Sequence, residues 1–157
     1  MPHHSKLPFS ILLNNPGQLQ SWPGIDYHPK TVLGMAEFRR PLDGLIAIAS
    51  HIDDTYRVRG FRTLPTFQSH FCPAGSGNDL AYQADLARRL GRNRLTLDTA
   101  QLHLDRSWPA FDMIRAIIGM ESGEPPSAWP TWPHWYSVKD IVKAMMKSGR
   151  WKKELSL

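Results

Sequence analysis

The stretch from Arg59 to Asp79 holds the side chains best suited to chemistry. Arg62, His70, Cys72 and Asp79 bring a fixed cation, an imidazole, a thiol and a carboxylate into one short piece of chain. An arginine can polarise a carbonyl or phosphoryl oxygen, an imidazole can move a proton or ligate a metal, and a thiolate can attack. Cys72 as nucleophile would take His70 or His134 as base, but a lone buried thiol is the plainer reading. As metal ligands, His70, Asp79 and His134 form the candidate set. The triplets His51-Ile52-Asp53 and His103-Leu104-Asp105 echo one another. Both read as helical, where residues two apart diverge by about 200° and cannot share an ion. The sequence contains no His-x-x-x-His, Cys-x-x-Cys or His-Glu-x-x-His.

A second constellation lies at the carboxyl end. Lys139, Lys143 and Lys147 recur every four residues, which places them on one helix face, with Val138, Ile141, Val142, Met145 and Met146 on the other. Arg150, Trp151, Lys152 and Lys153 follow. Such a row suits a phosphate backbone, with Trp151 available to stack on a base or to anchor the chain. The competing reading is an ordinary solvated face of an amphipathic helix. From Lys139 to Lys153 six basic residues stand against Asp140 alone, so this segment carries the whole net charge of +5. Charge concentrated in that way favours a polyanionic partner.

A third segment, Trp129-Pro130-Thr131-Trp132-Pro133-His134-Trp135-Tyr136, packs four large aromatics beside two prolines. It can pin the last helix to the core, line a pocket or meet a protein partner.

Between Gly60 and Asp79 the chain resembles the peptidoglycan-trimming zinc carboxypeptidases over about 40 residues around that stretch. Gly60-Phe61-Arg62-Thr63 stands against their Ser-Gly-Tyr-Arg-Ser, and Ser69-His70 with Asp79 against their Ser-x-His-x-x-Gly-x-Ala-x-Asp. The resemblance implies a zinc-dependent hydrolase in which Arg62 polarises the substrate and His70 and Asp79 bind the metal. The serine-to-histidine spacing is one residue shorter, the histidine-to-aspartate spacing two longer, and no Glu-x-x-His follows, which leaves His134 as third ligand. Pro73-Ala74-Gly75-Ser76-Gly77-Asn78-Asp79-Leu80-Ala81 is similar to the Pro-x-Gly-Thr-Gly-Asn-Asp-Leu-Ala stretch of diacylglycerol and sphingoid lipid kinases. Their separate Gly-Gly-Asp-Gly nucleotide loop has no counterpart in this sequence.

The elements that would position these groups are mostly helices. Residues 1–30 hold five prolines and read as irregular, with Phe9 to Leu13 as a short strand. A short helix is expected from Thr31 to Phe38, and a core helix from Pro41 through Asp54 on the spacing of Leu42, Leu45, Ile46, Ala49 and Ile52. Tyr56 to Phe61 alternates apolar and basic residues like a half-buried strand, and Leu64 to Gly77 reads as loop. Asn78 or Asp79 caps a helix that runs to Leu90 and stops at Gly91. After an extended piece at Leu95 to Leu97, two helices abutting at Pro109 carry the chain to Met120. Residues 121–136 form a Pro/Trp linker. Ser137 and Asp140 then make a capping box, and Gly149 closes the helix over 137–149.

At 157 residues and 41% hydrophobic, the chain fits one domain with a real core. One cysteine excludes an internal disulfide, and no apolar run approaches the roughly 18 residues of a membrane span, so a cytoplasmic protein is expected. The expected fold class is mainly α, with α+β as the alternative: four to five helices, one or two short strands and a basic C-terminal helix. The expected function is a small nucleic-acid-binding accessory protein of phage or mobile-element type that needs no cofactor. The alternatives are a zinc hydrolase and a protein-interaction or inhibitor module.

Overall fold

Helices begin in this chain where proline does no harm. The first helical turn has no use for its amide protons, so the ring's fixed φ helps there instead of breaking a hydrogen bond. A computed structural model describes residues 27–28, 37–71, 79–91, 100–122 and 137–151. Within them the fold is mainly α, as expected.

Helix α1, Pro41–Asp53, starts on proline after an extended Arg40, whose guanidinium pairs with Asp43 at 2.8 Å. Leu45, Ile48, Ala49 and Ile52 are buried along it. The next turn, Asp54–Val58, is π-wound, with the Arg59 amide donating to the Asp54 carbonyl at 2.9 Å. Gly60, at φ +80°, then turns the chain away. Helix α2 is Leu64–Phe71, α3 is Asp79–Arg89, α4 is Ser107–Ser122 and α5 is Val138–Ser148. Two short strands, β1 (Tyr27–His28) and β2 (Glu37–Phe38), pair antiparallel with Tyr27 opposite Phe38.

The central helix is α1, which packs on α5 and α4, while α3 bridges α2 and α4. Side chains from all five helices join one hydrophobic cluster, together with Leu102, Leu104 and Trp151. Between α2 and α3 a buried amide pair, Gln83 Nε2 to Gln68 Oε1 at 2.9 Å, satisfies two polar groups that would otherwise be costly in the interior.

Five sequence expectations require correction. Glu37–Phe38, expected to end a helix, is strand β2. Tyr56 to Phe61 is no strand: the alternation of apolar and basic residues arises on a π turn that buries Thr55 and Tyr56 and exposes Arg57 and Val58. The expected loop from Leu64 begins as helix α2, because Thr63 supplies an N-terminal cap network with Thr66 and Pro65 lies in the first turn. In place of two helices meeting at Pro109 there is one, with Pro109 in its first turn. The residues before it are extended or turned. Gln101 bridges Thr63, and the Leu102 amide donates to the Arg62 carbonyl at 2.9 Å. The His103 amide donates to the Tyr56 hydroxyl at 3.1 Å, and His103 itself has φ +55°. His103-Leu104-Asp105 is therefore not helical, unlike His51-Ile52-Asp53. The expected pieces at Phe9 to Leu13 and Leu95 to Leu97 lie outside the described residues, as does the linker beyond Ser122; Glu121 and Ser122 still belong to α4.

Candidate nucleic-acid interface

The lysine face of α5 is fixed from both ends. At the start, Ser137 Oγ accepts the Asp140 amide at 3.3 Å, while Asp140 Oδ2 accepts from the Ser137 amide at 3.3 Å and from its hydroxyl at 2.8 Å. This is the capping box the sequence predicts. Gly149 closes the helix at φ +74°, its amide donating to Met146. Two residues on, the Trp151 indole is 3% exposed and its Nε1 donates to the Leu104 carbonyl at 2.9 Å. Ile141, Ala144 and Met145 face the core, so the rotation of the helix is set.

Lys139, Lys143 and Lys147 consequently stand outward, all three exposed. Each step of four residues advances about 6 Å and turns about 40°, so the row is about 12 Å long. One strand of a duplex presents about three to four phosphates over that distance. Asp140, the only acidic residue in α5, is occupied by the capping box. Among the described residues no carboxylate forms an ion pair with any of the three lysines.

Two residues predicted to extend the row have other roles. Trp151 is not available to stack on a base: its ring is core and its N–H is spent on Leu104, so the anchoring alternative holds. Arg150 Nη1 lies 3.1 Å from Oδ2 of Asp53, a carboxylate that is 1% exposed. Asp53 also receives Arg57, from Nε at 3.2 Å to both oxygens and from Nη2 at 3.0 Å. Hydrogen bonding to Asp53 raises the Arg57 guanidinium pKa above its ordinary value. Lys152 and Lys153 lie outside the described residues.

The shared carboxylate brings in a basic surface that the sequence reading missed. Since Arg57 and Arg150 touch the same Asp53 oxygen, the π turn adjoins the end of the lysine row. That turn and the residues after it expose Arg57, Arg59 and Arg62. The Arg59 guanidinium lies 5.2 Å from the Phe61 ring centroid, and that of Arg62 lies 5.5 Å from the Tyr56 ring. The one available signal was the i,i+4 spacing of Asp53 and Arg57, which marks an ion pair on a continuing helix.

The candidate hydrolytic residues are placed differently. His70 is exposed on α2, its ring stacked on Phe61 at 3.4 Å between centroids, with Nδ1 2.8 Å from the Thr66 carbonyl. Arg62 faces Tyr56, not His70. Asp79 is the first residue of α3; Cys72 and His134 lie outside the described residues. Among the described residues no three of His, Cys, Asp and Glu come together to hold a metal. Of the strand and loop expected to carry the carboxypeptidase resemblance, Asp54–Val58 is a π turn and Leu64–Phe71 is helix α2.

One half-buried histidine is perturbed without belonging to either constellation. Burial pushes His51 down to about 4, with Asp54 opposing and Arg59 assisting.

No known family model and no curated protein matches the chain. Among the described residues no helix is long and apolar enough to cross a membrane.

Proposed function

We propose that the protein binds nucleic acid, contacting phosphates through Lys139, Lys143 and Lys147 of α5. The observation that supports this reading is the row itself: three ammonium groups on one exposed face of a helix capped at both ends, with no carboxylate paired to them among the described residues. A rigid row keeps its charges in register without the ordering cost of a flexible tail, and the counterions released from the phosphates supply the affinity. Arg57, Arg59 and Arg62 extend the positive surface past the end of the helix. Arg150 contributes by holding that end against Asp53, and only its outer edge remains for a ligand. Contacts of this kind go to the backbone and carry no base preference.

The test is anisotropy of a short fluorescent duplex and of the matching single strand at low salt. Wild-type protein should bind at least one of them, and Lys143→Glu with Lys147→Glu should abolish that binding while leaving the melting temperature unchanged. Equal binding by the variant, or none by the wild type, would remove the proposal.

A further inference from the structure

Arginines from two helices converge away from α5, in a polar cleft of about 470 Å³ between the C-terminal end of α3 and the middle of α4. Arg88 and Arg89 come from α3, Arg115 and Asp112 from α4. We propose that this cleft is a phosphate-binding site for a ligand that carries a phosphomonoester or pyrophosphate group. The inference goes beyond the lysine face and does not rest on it.

Three observations carry it. The first is preorganisation of Arg89. Its Nε lies 3.3 Å from Asp85 Oδ2, its side chain is only 17% exposed, and its guanidinium sits against Gly119 of α4. A Cβ at residue 119 would stand 2.6 Å from Nη1. Glycine inside a helix costs about 1 kcal/mol relative to alanine, and the space it leaves here is filled by the end of the Arg89 side chain.

The second is the charge of the wall, where Arg88, Arg89 and Arg115 stand against Asp112 and the paired Asp85. Asp85 answers both Arg88 and Arg89. Burial works to raise the Asp85 carboxyl, yet hydrogen bonds from Arg88 and Arg89 outweigh it and hold the group below the usual carboxylate range. The carboxyl end of α3, closed by Gly91 at φ +69°, also favours cations nearby. Neither accounts for Arg115. That residue lies mid-helix and exposed, its guanidinium 5.9 Å from the Phe111 ring, with no ion pair among the described residues.

The third is size. The volume falls within the range of small-ligand sites, about 300 to 1,000 Å³, and a planar guanidinium fork matches phosphate oxygens two at a time. Asp112 in the same wall would accept from a hydroxyl or amine on the ligand, which favours a phosphate borne on a sugar or nucleotide over a bare lipid phosphate.

The experiment follows arginine Nε–H resonances by ¹⁵N NMR during titration with inorganic pyrophosphate, then with a 5′-phosphorylated oligonucleotide and its 5′-hydroxyl counterpart. Pyrophosphate should move the Arg88, Arg89 and Arg115 signals in the wild type and equally in Lys139→Gln/Lys143→Gln/Lys147→Gln. The affinity should fall at least tenfold in Arg115→Gln and in Gly119→Ala. Gly119→Ala should melt no lower than the wild type, which separates a displaced guanidinium from a failed fold. Movement with the 5′-phosphorylated strand alone of the two would identify a nucleic-acid terminus as the source; movement with pyrophosphate only would identify a free phosphate compound. No movement at millimolar pyrophosphate, or movement undiminished in both variants, overturns the assignment.

Discussion

The Arg150 guanidinium reaches back to Asp53, 97 residues earlier, and shares its Oδ2 with Arg57 at 3.1 and 3.0 Å. A carboxylate 1% exposed between two arginines ties the end of α5 to the point where α1 becomes π-wound. That tie sets where the lysine row ends and which surface continues it. Asp53→Asn keeps the shape but removes the charge that both arginines answer. Losing one partner of a buried pair costs about 3 to 5 kcal/mol, and the arginines here remain partly solvated, so about 2 kcal/mol is expected in urea unfolding. A double-mutant cycle with Arg150→Ala should show that the two losses are not additive.

Trp151 should behave as core. Trp151→Phe forfeits the bond to the Leu104 carbonyl and should cost about 1 to 2 kcal/mol, whereas Trp151→Ala also leaves a cavity and should cost about 3 to 5 kcal/mol. Denaturant midpoints measure both. If Trp151→Ala left stability unchanged and removed only ligand binding, the buried placement would be contradicted.

Thr55 should tolerate valine. It is fully buried in the π turn, and its hydroxyl has no hydrogen-bond partner among the described residues. Replacing an unsatisfied hydroxyl by a methyl of similar volume relieves its desolvation, so Thr55→Val should raise stability by about 1 kcal/mol in thermal or urea unfolding. A clear loss would mean that the hydroxyl is engaged.

The acid side of the stability profile should carry the signature of His51. The fold holds this imidazole neutral down to about 4, whereas the unfolded chain takes up its proton near 6.5. The unfolded state therefore binds more protons in that window. The contribution is fully present above about pH 6.5, shrinks as pH falls and is gone below about 4, a range worth on the order of 3 kcal/mol. Urea midpoints between pH 7 and 4.5 should fall for the wild type and flatten for His51→Gln. Equal slopes would contradict the burial argument.

How much of this was legible in the sequence depended on what proline was taken to mean. Pro41 reads as a first-turn residue, and α1 follows from it. Pro65 and Pro109 read as breakers, which hides the start of α2 and splits α4, although both lie in first turns like Pro41. Thr63 ahead of Pro65 was a usable cap signal. The α5 cap, its lysine face and its glycine stop followed from spacing alone, because those interactions span only three to four residues. Trp151 on Leu104, Arg150 on Asp53 and Arg89 on Gly119 join residues far apart in the chain, and no local pattern encodes them. The π turn defeated periodicity for a different reason: its winding matches neither 3.6 nor 2.0, so the alternation of Arg57, Val58 and Arg59 imitated a strand.

The central claim is that three ammonium groups on α5 each meet a phosphate, and the slope of log affinity against log salt counts such contacts. Each contact to a duplex contributes about 0.9 to that slope, so Lys139→Gln/Lys143→Gln/Lys147→Gln should flatten it by about 2.7 relative to the wild type. A slope that is the same in both proteins would show that these lysines touch no nucleic acid.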